Sequence, residues 1–161
     1  MRFAVIVLLV AAMGLAGCDG SRDADSIEGG PRESIVADGL SVTLEAPRRA
    51  LRMGETLRLE VTVRNTTRRT IEIAARSGAP VYARLSRHTG LFWEQFKSYP
   101  AAATMVMTPW TLDRGRERRF ILTLPVEPDW PAGERLRITA EVNGRPAPQP
   151  SITVRVIPPQ R

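Results

Sequence analysis

The sequence predicts an all-β chain, and three observations carry that expectation. From Leu40 onward, apolar and polar residues alternate with period two in short runs. Glycine or proline stands in nearly every gap between the runs, at Pro47, Gly54, Gly78, Pro80, Gly90, Pro109, Gly115, Pro125, Pro128, Pro131, Gly133 and Gly144. No segment of that region repeats apolar residues at i, i+3, i+4 and i+7, the spacing a helix needs to bury one face. Short half-buried strands joined by tight turns, stacked as antiparallel sheets, satisfy all three.

The chain opens differently. Arg2 precedes an unbroken apolar run from Phe3 to Met13, followed by the small residues Gly14, Ala16 and Gly17 and then Cys18. Charge, apolar run and small residues are the three parts of an export leader. An uncleaved anchor helix, an ordinary secretory signal and a buried helix are the other readings. The run falls short of the ~20 residues that span a bilayer. Leu15-Ala16-Gly17-Cys18 resembles the lipobox of bacterial lipoproteins. The resemblance implies cleavage after Gly17, a diacylglyceryl group on the Cys18 thiol, and a mature chain tethered to a membrane outside the cytoplasm. Residues 1–17 are thus expected to be the signal peptide.

Residues 18–38 read as the lipidated N-terminus and a flexible tether. Asp19 to Ser26 and Gly29-Gly30-Pro31 are polar and turn-rich, with isolated Ile27, Ile35 and Val36. A flexible chain of that length reaches about 25 Å. Asp19, directly after the cysteine, resembles the signal that holds lipoproteins of enteric bacteria at the inner membrane.

The domain is expected over 39–159. Leu40, Val42 and Leu44 alternate with Ser41, Thr43 and Glu45; Leu57, Leu59, Val61 and Val63 alternate with Arg58, Glu60, Thr62 and Arg64. An aliphatic inner face and a charged outer face suit an antiparallel sheet with one wet side. Asn65-Thr66-Thr67 turns the chain, and Thr70–Ala74 returns with Ile71 and Ile73 on one side. Val81–Ser86, Thr104–Thr108, Glu117–Leu124, Leu136–Val142 and Ile152–Ile157 continue the pattern. Seven or eight such strands point to a single antiparallel β-sandwich of immunoglobulin-like architecture.

Composition bounds the function. Cys18 is the only cysteine, so with its thiol acylated the domain has no disulfide, no thiol nucleophile and no thiolate ligand. The net charge of +6 rests almost wholly on arginine, Lys97 being the only lysine. The arginines are mostly scattered singly along strands, so we expect solubility charge and no nucleic-acid surface, with a weak pull toward anionic lipid near the anchor. His88 is the only histidine and falls in a turn beside Thr89-Gly90. It lacks a second histidine for a metal site, and no Gly-x-Ser-x-Gly elbow or glycine-rich phosphate loop occurs. No enzyme is expected. Met105 and Met107 share a strand face and, with Met53 and His88, offer soft donors for Cu(I), but packing is their more ordinary role, and no metal is expected.

Between Arg64 and Gly115, the order Arg64-Asn65-Thr66-Thr67, Ser77-Gly78, Val81-Tyr82, Thr89-Gly90, Phe92-Trp93 and Leu112 to Gly115 resembles the intracellular proteinase inhibitor (BsuPI) domain. Ala132-Gly133 resembles that family's last turn. Ala79-Pro80 and the basic stretch Arg114 to Arg119 depart from its pattern, and no reactive-site loop matches. The resemblance implies a β-sandwich. Proteinase inhibition is the alternative function it suggests. Large aromatics are either core plugs or binding hot spots. Trp110 and Trp130 suit the first role. The Phe92–Tyr99 loop region, with Phe92, Trp93, Phe96 and Tyr99, suits the second, because its apolar residues do not keep to one alternating face. The expected function is a membrane-tethered, non-catalytic module that binds an envelope protein through a sheet edge or this region, with no cofactor beyond the lipid.

Overall fold

The computed structural model describes residues 29–74, 78–101 and 109–158. The expected signal peptide, Cys18, most of the tether, Ser77 and the expected strand Thr104–Thr108 with Met105 and Met107 lie outside the described residues.

Eleven strands are described: β1 (Arg32–Ala37), β2 (Leu40–Glu45), β3 (Ala50–Arg52), β4 (Thr56–Asn65), β5 (Ile71–Ile73), β6 (Val81–His88), β7 (Trp93–Tyr99), β8 (Trp110–Leu112), β9 (Glu117–Pro125), β10 (Arg135–Val142) and β11 (Ser151–Ile157). They form a four-stranded sheet in the order β1-β2-β4-β9, a five-stranded sheet β3-β11-β10-β6-β7, and the two-stranded pair β5-β8. All pairings are antiparallel except the short β3–β11 ladder. The chain is an all-β sandwich, as the alternating pattern requires.

Alternation places the core. Leu40, Val42 and Leu44 of β2 and Leu57, Leu59, Val61 and Val63 of β4 are buried on one sheet. They face Val81, Ala83 and Leu85 of β6, Leu136, Ile138 and Ala140 of β10, and Ile152, Val154 and Val156 of β11. Residues of opposite parity on the same strands stay half-exposed or exposed. The described core lies between Leu40 and Val156, and every described strand pairs with another.

Three expectations need correction. The stretch assigned to the tether, 18–38, holds β1 at its end: Arg32–Ala37 pairs residue for residue with β2, from Arg32 opposite Glu45 to Ala37 opposite Leu40. An edge strand is stabilised by backbone ladder bonds, so it needs little apolar content. Asp38 and Gly39 both have positive φ and form the tight turn between β1 and β2. The domain therefore begins before residue 39. Among the described residues the strands number eleven rather than seven or eight, since β1, β3, β7 and β8 are additional. Finally, the 92–99 region is not a loop. It is edge strand β7, whose alternation fails because a β-bulge shifts the register between Leu85/Lys97 and Ser86/Gln95.

Candidate functional site

The residues expected to bind a partner fall on the hairpin of β6 and β7, at one edge of the five-stranded sheet. Four residues, Thr89 to Phe92, join the strands. The Thr89 N–H donates to the Phe92 carbonyl at 3.0 Å and the Thr89 hydroxyl donates to the same oxygen at 3.1 Å. The Gly90 N–H donates to His88 Nδ1 at 3.3 Å, with Gly90 at φ 91°, a conformation glycine adopts without strain. This bonding holds the tip in one shape and leaves Leu91 91% and Phe92 62% exposed.

The four candidates then diverge. Phe92 stands in solvent at the tip. Trp93 pairs with His88 across the hairpin, its ring edge-on to the imidazole at 5.1 Å, and the Arg137 guanidinium of β10 lies 4.2 Å from its ring centroid. Phe96 is the bulged residue and packs against the core, as does Tyr99. The expected cluster of four aromatics is thus split between surface and core by the bulge.

Lys97 braces the same strand. Its ammonium bonds Glu127 and Asp129, both in the β9–β10 connection, at 2.8 Å to Asp129. The Tyr99 hydroxyl donates to Glu127 at 3.0 Å, and the Tyr99 ring lies 6.3 Å from that of buried Trp130. Burial works to lower the Lys97 pKa, but the hydrogen bonds it donates to Asp129 and Glu127 outweigh it and hold the ammonium well above its ordinary value. The same bonds, Lys97 first and Tyr99 second, hold the Glu127 carboxyl below the usual carboxylate range. Burial, with the bond to Glu127 adding to it, pushes the Tyr99 phenol up. Nothing in the periodicity of the sequence marked this brace; the isolated lysine in an arginine-rich chain was its one trace.

A second feature lies at the opposite end of β7. The outer edges of β7 and β9 lie on the same side of the sandwich, and between them runs a groove of about 540 Å³. Val81, Tyr99 and Pro100 line one wall and Phe120, Ile121 and Leu122 the other. Ile121 is 43% exposed.

Elsewhere the expected roles are structural. Trp110 and Trp130 are buried. Met53 packs against the core in the β3–β4 turn, while His88 ends β6, three strand spacings away at about 14 Å. Among the described residues, no three of histidine, cysteine, aspartate and glutamate come together as a metal site.

No family model matches this chain, and no curated protein does. Solved structures do match it. Spo0M, the sporulation control protein of Bacillus subtilis, aligns at 16% identity with a TM-score of 0.53 over 76% of this chain and 51% of its own, so the chain spans about half the length of that protein. A β-glucosidase from Listeria innocua aligns at 15% identity and TM-score 0.45, over 74% of this chain and 16% of the enzyme. A CARDB domain from Pyrococcus furiosus, solved with di-metal ions, aligns at 14% identity and TM-score 0.40, over 82% of this chain and 98% of the domain. With the Spo0M match beside it, the fold defines the class of the chain as a β-rich domain. At such identities the likeness is one of fold.

Proposed function

We propose that the chain is an extracytoplasmic lipoprotein, held at the membrane by a diacylglyceryl group on Cys18, whose immunoglobulin-like sandwich is a non-catalytic module binding another envelope protein. The supporting observation is the groove beside β9. Among the described residues β9 has no neighbour on its outer edge, so its backbone donors and acceptors are open to an extended segment. The apolar wall of Phe120, Ile121 and Leu122 beside it takes alternate side chains of such a segment, the arrangement by which a strand added to a sheet edge gains both affinity and specificity. Anchoring raises the local concentration of a modest binder.

A photo-crosslinker placed at position 121 in intact cells tests the reading. One discrete adduct is expected, absent for a crosslinker at Val36 on the opposite edge strand and depleted when Cys18→Ser releases the chain from the membrane. Equal adducts at both positions, or none at position 121, argue against the groove as a binding site. The inhibitor reading rests on the BsuPI resemblance alone and predicts stoichiometric loss of a serine protease's activity on adding the chain.

A further inference from the structure

We propose that the end of the sandwich carrying the β6–β7 hairpin docks onto an anionic phospholipid surface, with Leu91 and Phe92 entering the headgroup layer and neighbouring arginines pairing with lipid phosphates. The proposal takes the lipid anchor as its context, and three observations carry it.

The tip is apolar, displayed and held. Leu91 and Phe92 are among the most exposed large hydrophobic residues described, on a turn closed by three hydrogen bonds. A tip held this way loses little conformational freedom on insertion. Trp93, one residue further on, combines an apolar ring with a polar N–H, the character suited to a bilayer interface.

The charge is one-sided. The outer face of the five-stranded sheet carries Arg52, Arg84, Arg135, Arg137 and Arg155 against a single acid, Glu141, which pairs with Arg84. The outer face of the four-stranded sheet instead mixes four arginines with three glutamates, tied by Arg32–Glu45 and Arg119–Glu60 and Arg119–Glu117 pairs. Arg52, Arg135, Arg137 and Arg155 have no carboxylate partner among the described residues, and all four sit toward the hairpin end. Register shows this: Arg135 is opposite Arg155, Arg137 opposite Ser86 near the end of β6, and Arg52 opposite Ile157. Among the described residues, Glu134 is the one unpaired acid beside them. Guanidinium groups bind phosphate oxygens in a forked geometry, and these four, gathered at the hairpin end, are placed to pair with phosphates where that end meets the surface.

The chain enters from that end. Pro31 accepts a hydrogen bond from the Ala46 N–H, and β1 begins opposite the end of β2. The short connections β2–β3 and β3–β4 lie at this end, where Gly54 bonds Val126 and Gly133 bonds Val156. Residues 19–31 precede β1, and a polar linker of thirteen residues reaches about 20 Å. The linker, the apolar tip and the unpaired arginines therefore face the same way. That shared direction favours a membrane over a soluble protein as the occupant.

Vesicle flotation tests the proposal, using the chain from residue 18 with Cys18→Ser so that no acyl group contributes. The sample is mixed with phosphatidylcholine vesicles or with an equimolar blend of phosphatidylglycerol and phosphatidylcholine. Binding to the anionic vesicles alone is expected, weakening with added salt. The Leu91→Ser/Phe92→Ser pair is expected to cut binding about tenfold or more, and Arg135→Ser and Arg155→Ser about fivefold each. Brominated lipid is expected to quench Trp93 fluorescence in the parent and not in the tip pair. These positions are exposed, and an unchanged thermal midpoint confirms folding of each variant. Absence of vesicle binding, equal binding to neutral vesicles, or full binding by the tip pair overturns the proposal. So does a stable protein complex at the tip that excludes vesicles. Palmitate labelling of the wild-type chain in cells is scored separately. A chain that takes no label defeats the anchor reading and leaves the vesicle result to judge the tip.

Discussion

Asn65 is the one buried polar residue among those described, and four hydrogen bonds explain its position. Its Nδ2 donates to the carbonyls of Arg69 at 2.7 Å and Leu112 at 2.9 Å, and its Oδ1 accepts from the N–H and hydroxyl of Thr67, each at 2.8 Å. One side chain thus closes the turn after β4 and fastens it to β8. Asn65→Ala removes all four bonds: the Arg69 carbonyl keeps the Thr67 hydroxyl at 2.9 Å, but the Leu112 carbonyl loses its side-chain donor and the Thr67 N–H its acceptor, and a loss of about 2–4 kcal/mol is expected in urea denaturation. The sequence marked Asn65 as a turn residue, which it is. Its tie to Leu112, forty-seven positions away, had no sequence signature, because a single amide pairing across the fold leaves no periodic trace. At the same scale, Glu127 makes stability depend on acid. Its folded pKa lies below the ordinary value, so its contribution is complete above the usual carboxylate range and is lost as pH falls through the lowered value. Lys97, raised, contributes fully below the usual lysine value and loses its part only at strongly alkaline pH. Thermal midpoints of wild type and Glu127→Gln are therefore expected to differ near neutral pH and to converge in acid. Curves that stay parallel down through the acid range would contradict the brace.

At the scale of elements, β4 and β7 show why one strand was legible and another was not. β4 keeps perfect alternation over its ten residues, with Leu57, Leu59, Val61 and Val63 all buried between neighbours on both sides. Leu59→Ala is expected to cost about 2–5 kcal/mol with an unchanged denaturant slope. β7 carries three large aromatic residues but breaks step at Phe96, the residue the bulge adds, so that Phe96 and Tyr99 pack against the core three positions apart. A period-two reading fails wherever two residues oppose one. β1 could have been found: Asp38-Gly39 between Val36-Ala37 and Leu40 is a strong hairpin signal, and its two positive-φ residues match the twist of the paired strands. The polar composition around it concealed the strand. Ile121→Arg on β9 tests the groove as an element. Being half-exposed, it is expected to change stability by less than about 1 kcal/mol while abolishing the adduct of a crosslinker placed at Thr123, which lines the same groove.

Across the whole molecule, Cys18 is the only cysteine, so no disulfide constrains the unfolded chain. The sandwich stands on its apolar core, and its thermal midpoint is expected to be the same with and without reductant. A shift on reduction would mean an intermolecular bridge through Cys18. The alternation of apolar and polar residues alone determines that this chain is all-β and which residues enter its core, because a pleated strand has only two faces and water rejects one of them. The apolar run from Phe3 to Met13 and the lone Cys18 are likewise local patterns, readable without a fold. Only the tertiary structure decides that arginines scattered singly along β3, β10 and β11 become neighbours on one face, that Leu91 and Phe92 project beside them, and that Lys97 meets Glu127 and Asp129. Those arrangements depend on strand order and register. Residues far apart in the chain become adjacent only when the sheets close.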